Sequence, residues 1–247
     1  MSVFIAQLRS EATKCSRTSV LVLVGLIGLV ALAIGLHAFA LSVTALSDDD
    51  QQRAILVDVT SNLGSAFAGL LGALMITAEF RTGTIRPTLL AVPRRQRVFG
   101  AKAGLALGLG ALAGILATGT ATGVVVLGLG VRDITVHLTT GNIAQLVVGG
   151  AVGGALWGVI GLAIGAIVRA QVPTVVGILA WILFVENILT DLPTIHRYAP
   201  AALVQALTGQ TRGGVLTSVT LAGLLLAGYT VVAAGVGATR FQRQDVA

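Results

Sequence analysis

Charged and aromatic residues are scarce in this chain of 247 residues: 11% are charged and 4% are aromatic, whereas 55% are hydrophobic. A soluble domain is usually about 25% charged and about 45–50% apolar. An apolar excess of this size cannot be hidden in one small core, so the composition excludes an ordinary soluble domain. It favours a protein whose surface is largely in contact with lipid.

The chain also lacks the usual residues of a metal site or an enzyme active site. It has one cysteine, Cys15, and three scattered histidines, so it can form no internal disulfide and we expect no metal site. The sequence contains no G-x-x-x-x-G-K-[ST], G-x-S-x-G or H-E-x-x-H motif. We therefore expect no catalytic residues, no cofactor bound by this chain and no ATPase activity of its own.

The net charge of +6 does not indicate nucleic-acid binding, because no basic stripe is interleaved with aromatic residues. Membrane proteins become basic simply by collecting Lys and Arg on cytoplasmic loops. Arginine greatly outnumbers lysine, which occurs only at Lys14 and Lys102. With the abundant Ala, Gly and Val, this bias indicates a GC-rich bacterial source.

Six apolar stretches are long enough to cross a membrane, which takes roughly 20 residues. They lie at about 19–46, 55–78, 103–129, 143–168, 172–189 and 215–238. The sequence therefore predicts an all-α integral membrane protein, a single transmembrane domain over residues 1–247. The first stretch is too long for a cleavable signal peptide, and we expect it to stay as a helix.

Basic residues predict the orientation of these spans. With both termini in the cytoplasm, twelve basic residues lie inside and four outside, as the positive-inside rule requires. The outer four are Arg53, Arg132, Arg197 and Arg212. The acidic run at 48–50 would also lie outside. We therefore expect a multi-pass protein of a bacterial cell membrane with cytoplasmic termini.

Residues 1–17 have the pattern of an interfacial amphipathic helix, with apolar residues in one sector and Arg9, Lys14 and Arg17 elsewhere. Glu11 interrupts the apolar edge, so a merely basic tail is the alternative. Small-xxx-small pairs occur in several spans, such as Gly110/Gly114, Gly119/Gly123, Gly150/Gly154 and Gly161/Gly165. They predict close packing of helices.

The cytoplasmic loop at 79–102 is the most informative segment. Gly83 and Pro93 would fix turns on either side of a short apolar helix. Glu79 lies at the inner end of the second span and needs a partner there, either Arg81 or a basic residue near Lys102. Such a loop can dock on a partner protein, or it can simply touch anionic lipid.

The loop pattern resembles that of ABC-2 type permeases, the membrane subunits of ABC exporters. The residues that carry the resemblance are Glu79, Gly83, Thr84, Leu89, Leu90, Pro93, Arg94, Arg95, Arg97 and Lys102. The six spans, the N-terminal helix and an outer segment at 186–214 with Pro193 and Pro200 are also similar to that family.

The resemblance implies a mechanism. Two six-span halves, most simply a homodimer, would form one pathway, with two copies of an ABC ATPase docked below. ATP and Mg²⁺ would bind to those ATPase subunits. The loop after the second span would be the coupling helix, with Leu89 and Leu90 as docking anchors and Arg94, Arg95 and Arg97 binding carboxylates of the ATPase or lipid phosphates.

Two acidic residues near the predicted outer face, Asp58 and Glu186, are candidates for the substrate pathway. Both lie close enough to the interface to be hydrated, which is the alternative. The remaining apolar lining favours a hydrophobic or amphiphilic cargo such as a drug, antibiotic, peptide or lipid. A membrane sensor or assembly factor and a secondary transporter remain the rival functions.

Overall fold

A computed structural model describes residues 20–36, 49–85, 95–134, 138–209 and 217–243, and its described residues contain helices and no strand. The eight described helices are α1 (Val20–Leu36), α2 (Asp49–Thr82), α3 (Arg95–Val131), α4 (Thr140–Val168), α5 (Gln171–Thr190), α6 (Pro193–His196), α7 (Pro200–Leu207) and α8 (Val219–Gln242). Residues 1–17, predicted as the interfacial helix, lie outside this range.

Five helices are long and apolar enough to cross a membrane: α2 (over Val59–Thr82), α3, α4, α5 and α8. They coincide with the second to sixth predicted spans, and they make the chain compatible with a multi-pass membrane protein. The described part of the first predicted span is α1, an apolar helix of 17 residues that falls short of a span by length. The six-span count therefore stays a prediction.

Helix α4 lies in the middle of the bundle and packs against α2, α3 and α8. Its glycines make this possible, because a Cβ on Gly114 of α3 would collide with the carbonyl oxygen of Gly150, and a Cβ on Gly161 would collide with that of Gly69 in α2. Glycines at these crossings let the backbones approach closely. By contrast, Gly119 and Gly123 face open space, so only some of the predicted small-xxx-small pairs lie at contacts between helices.

Several helices extend beyond their predicted positions, and two of these ends flank the predicted cytoplasmic loop. Helix α2 continues to Thr82 and α3 begins at Arg95, so Glu79 and Lys102 are helical residues rather than loop residues. Gly83 follows α2 with φ of +70°, a left-handed conformation that glycine adopts without strain. The connection between the two helices is therefore shorter than the predicted loop.

The described part of the predicted outer segment, residues 186–209, is largely helical. Glu186 belongs to α5, and Pro193 and Pro200 each lie in the first turn of a short helix, where proline costs no hydrogen bond. All of α7 after Pro200 is buried, and this helix packs against α2, α4 and α8. At eight residues it is too short to span a membrane, so it is an inserted element of the bundle.

Candidate functional site

A buried ion pair joins α2 to α3 at the end of the bundle where the predicted coupling segment begins and ends. Lys102 Nζ lies 2.9 Å from Glu79 Oε1 and donates to the backbone oxygen of Met75 at 3.3 Å. Lys102 is 0% exposed and Glu79 is 7% exposed. Because charges buried to this degree need partners, the two side chains fix α2 against α3. The sequence offered Arg81 or a basic residue near Lys102 as the partner of Glu79, and Lys102 is a partner in the structure.

Two further contacts connect this end of the bundle to α5 and α8. Arg81 Nε donates to Gln171 Oε1 at 2.7 Å, which links the end of α2 to the start of α5. Arg95 Nη1 donates to the backbone oxygen of Gln242 at 3.2 Å, which links the start of α3 to the end of α8. We call this end of the bundle, with its residues Glu79, Arg81, Arg95, Lys102, Gln171 and Gln242, the ion-pair end.

An aromatic contact lies behind these polar contacts. The rings of Phe99 in α3 and Phe241 in α8 are 6.1 Å apart between centroids and inclined at 43°. Both side chains are buried in a small apolar cluster with residues of α2 and α4. Tilted ring pairs at this separation are favourable beyond the area that they bury. The ion-pair end therefore couples α2, α3 and α8 through packing as well as through hydrogen bonds.

The other predicted coupling residues are only partly described. Thr84 exchanges a hydrogen bond with Thr82 at 2.9 Å between their hydroxyl oxygens, and Arg97 is exposed on the first turn of α3. Leu89, Leu90, Pro93 and Arg94 lie outside the described residues. Their role as coupling residues stays a prediction.

At the opposite end, the carboxylate of Glu186 lies among α5, α6, α7 and α2. It is 5% exposed. Its Oε1 accepts two hydrogen bonds of 3.0 Å, one from Trp181 Nε1 and one from the backbone N–H of Ala201. The second contact places a carboxylate at the N-terminus of α7, where it complements the helix dipole. Its other oxygen, Oε2, is buried and accepts no hydrogen bond from the described residues.

A π-helical turn aligns Trp181 with Glu186. Residues Trp181–Val185 form one π turn, and the backbone N–H of Glu186 donates to the carbonyl oxygen of Trp181. In a regular α-helix, side chains five residues apart point about 140° away from each other. The wider turn reduces this angle, so the indole N–H reaches the carboxylate. π turns are uncommon and are found frequently at functional sites.

Glu186 also lines a polar pocket of about 150 Å³. The other polar side chains of its lining are Asn62, Asn187, Thr190, His196 and Gln205. None of the described lining residues is Lys or Arg. We call this the Glu186 pocket. Asp58, the second candidate for a substrate pathway, lies on α2 one turn before Asn62, but its side chain is outside the described residues.

Helix α2 fixes the separation of the ion pair and the pocket, because it carries Asn62 at one and Glu79 at the other. Asn62 and Glu79 are 17 residues apart in this helix, which corresponds to about 26 Å along its axis. This distance approaches the roughly 30 Å thickness of the hydrocarbon core of a bilayer. The two sites therefore lie at opposite ends of the bundle.

The sequence analysis missed several residues that complete these sites. Gln171 and Gln242 stand next to span ends with no motif around them, and only the packing of the helices shows what they contact. Trp181 and Glu186 are both in the predicted fifth span, but their five-residue spacing does not predict a contact under helical periodicity. Asn62 was the detectable signal, since it is an amide inside a predicted span.

The comparisons with known proteins assign no family. No family model matches the chain, and no curated protein matches its sequence. The function must therefore be inferred from the sequence pattern and from the two sites just described.

Proposed function

We propose that the chain is the membrane subunit of a bacterial ABC exporter and works with a separate ATPase. The observation that carries the proposal is the arrangement of the ion-pair end. The segment 86–94 connects two helices that a buried ion pair holds together, and the same end is bonded to α5 and α8. A force on that segment would reach four spanning helices at once, as a coupling helix requires.

The distribution of charge supports a cytoplasmic location for the ion-pair end. Seven of the described basic residues lie at or next to this end, and three lie towards the other end. The seven are Arg81, Arg95, Arg97, Lys102, Arg169, Arg240 and Arg243. The three are Arg53, Arg132 and Arg197. The positive-inside rule places the more basic end in the cytoplasm, and the Glu186 pocket then lies near the outer face.

The partners follow from this proposal. Two copies of an ABC ATPase would dock at the ion-pair end and supply the ATP and Mg²⁺ sites. A second copy of this chain would complete the pathway. The cargo would be a hydrophobic or amphiphilic molecule, because the predicted spans contain few charged residues that could line a polar pathway.

The decisive experiment measures transport and ATP hydrolysis on the same reconstituted samples of the chain with its co-purified ATPase. We expect Leu89→Asp with Leu90→Asp to abolish transport while membrane insertion survives, because anchors of this kind typically cost about 2 kcal/mol or more when truncated. Gln244→Asp with Val246→Asp is the matched control, since it adds the same charge on the same side outside the segment. Normal cargo movement by the first variant would remove the segment from the mechanism.

Glu79→Ala tests the coupling step separately. We expect the ATPase to remain bound, but its hydrolysis should no longer respond to cargo, because Lys102 loses the carboxylate that holds α2 against α3. Hydrolysis stimulated by cargo to the level of the unmodified complex would show that the ion pair only stabilises the fold.

The orientation is tested with single cysteines in a Cys15→Ser background. A cysteine at position 49 should react with an impermeant maleimide in intact cells. Labelling only after membrane disruption would invert the topology and place the ion-pair end outside.

A secondary transporter is the second candidate, and the observation that favours it is a carboxylate buried in a span, Glu186. Vesicles that contain the chain without any ATPase distinguish the two functions. Cargo movement driven by an ion gradient alone would favour the secondary transporter, whereas dependence on ATP and the ATPase would favour the exporter.

A further inference from the structure

The two oxygens of Glu186 have different surroundings. Oε1 accepts hydrogen bonds from Trp181 and Ala201, and these bonds explain why a carboxylate is tolerated at this position in the fold. Oε2 makes no contribution to that arrangement, because it is buried and accepts no hydrogen bond from the described residues. A buried oxygen without a donor costs free energy. The capping of α7 therefore explains the position of Oε1 but not that of Oε2.

The space next to Glu186 is suited to a donor. The pocket holds about 150 Å³, well above the roughly 10–15 Å³ that a cavity needs to hold one water molecule, so a group of several non-hydrogen atoms fits. Asn62 and Gln205 contribute side-chain amides to its wall, and each amide carries an oxygen that accepts hydrogen bonds. The lining thus combines one acidic group with neutral acceptors.

Charge selects the kind of donor. Of the described lining residues, Glu186 is acidic, His196 is the one that can become cationic, and none is Lys or Arg. Hydrogen bonds between an ionised donor and a carboxylate are roughly twice as strong as neutral ones. A ligand that brings a positive charge together with N–H groups would match the pocket better than a neutral or anionic one.

We infer that the Glu186 pocket binds the primary ammonium or guanidinium group of an amphiphilic molecule, with its N–H donating to Glu186 Oε2 and to the amide oxygens of Asn62 and Gln205. This inference rests on the proposed export function, because it names the charged part of the cargo. The apolar part of such a molecule would lie along the exposed apolar surface of α5, where Leu183 and Phe184 are 54% and 66% exposed.

The test is to measure the binding of octylammonium to the full chain in nanodiscs, without any ATPase, by isothermal titration calorimetry. Octanol has the same tail without the charge, and octyltrimethylammonium has the charge without N–H groups. We expect octylammonium to bind at least tenfold more tightly than either. Equal binding of octanol, or of the trimethyl compound, would overturn the inference, because either result would remove the hydrogen-bonded cation from the recognition.

Glu186→Gln keeps an oxygen that can accept from Trp181 and Ala201 but removes the charge, and it should weaken octylammonium binding at least tenfold. Asn62→Leu fills the pocket without touching the cap of α7 and should weaken binding similarly, so the inference stays testable if Glu186→Gln does not fold. Asp191→Asn changes an exposed carboxylate just beyond α5 and serves as the matched control. Unchanged affinity in a folded Glu186→Gln or Asn62→Leu protein would overturn the inference.

Sodium and potassium are the remaining competitors. Displacement of octylammonium by either ion at equal concentration would show an inorganic cation site and overturn the inference. Failure of this inference can also be distinguished from failure of the proposed function. Octylammonium binding without any ATP-dependent transport would keep the pocket and refute the exporter, whereas ATP-dependent transport without octylammonium binding would do the reverse.

Discussion

The two ends of the bundle each hold a buried carboxylate, and the two differ in their partners. Glu79 is paired with the ammonium group of Lys102 on the neighbouring helix. Glu186 accepts hydrogen bonds from an indole and a backbone amide, and no Lys or Arg is among the described residues that line its pocket. A carboxylate paired with a cation within the fold serves to hold helices together. A carboxylate without such a partner can instead bind a cation that a ligand supplies.

The largest effect should come from removing the cation of the ion pair. Lys102→Met removes the ammonium group that pairs with the buried carboxylate of Glu79, and breaking a buried ion pair in this way typically costs about 3–5 kcal/mol. We expect this loss in the free energy of unfolding, measured by titration with sodium dodecyl sulfate in mixed micelles and followed by circular dichroism.

Two further variants sharpen this result. Adding Glu79→Gln to Lys102→Met should restore most of the lost stability, because no uncompensated charge remains. Arg97→Met changes an exposed basic residue in the same helix and should stay within about 0.5 kcal/mol of the unmodified chain. A Lys102→Met protein as stable as the Arg97→Met protein would contradict the structural role assigned to the pair.

A smaller loss is expected at the other end from Glu186→Ala. This change leaves the indole N–H of Trp181 and the amide N–H of Ala201 without their acceptor, at a cost of about 1–3 kcal/mol for each donor. It also removes the buried oxygen Oε2, which has no donor among the described residues, and this offsets part of that cost. It leaves no charge unpaired, which is why the loss should be smaller than that of Lys102→Met. The same unfolding titration measures it, with Asp191→Ala as the exposed control. A loss larger than that of Lys102→Met would reverse the proposed difference between the two ends.

The smallest effect is expected from Trp181→Phe, which removes one of the two hydrogen bonds to Glu186 Oε1. We expect a loss of about 1 kcal/mol and little change in octylammonium binding, because Oε2 is untouched. Calorimetry on this variant distinguishes the role of Oε1, which accepts from Trp181, from that of Oε2. A loss of binding as large as that of Glu186→Gln would show that the indole, rather than Oε2, controls the pocket.

Much of the fold could be predicted from the sequence because apolar length is a direct signal. Five predicted spans coincide with helices, although α2 and α3 extend past their predicted ends towards Glu79 and Lys102. The packing of those helices was less predictable. Gly114 and Gly123 stand in similar small-residue spacings, yet one lies against Gly150 and the other faces open space, and only the three-dimensional arrangement distinguishes them.

The ion pair and the Glu186 pocket also differ in how well they could be predicted from the sequence. The pairing of Glu79 with Lys102 was among the predicted alternatives, because both residues flank a single short connection between consecutive helices. The Glu186 pocket was not predicted, although Glu186 itself was a candidate for the substrate pathway, with hydration at the interface as the alternative. The pocket depends on a π turn that breaks the regular period and on α7, a short buried helix in a segment expected to be an outer loop. Neither leaves a periodic signal in the sequence.

The buried position of α7 has a consequence for the order in which the protein is assembled during synthesis. Long apolar helices can enter the bilayer one at a time and associate afterwards. An eight-residue helix cannot, and α7 packs against α8, which follows it in the chain, as well as against α2 and α4. The ion pair needs only α2 and α3, so it can form while the ribosome is still making the rest of the chain. The Glu186 pocket can close only once α8 has been synthesised, which makes it one of the last parts of the molecule to mature.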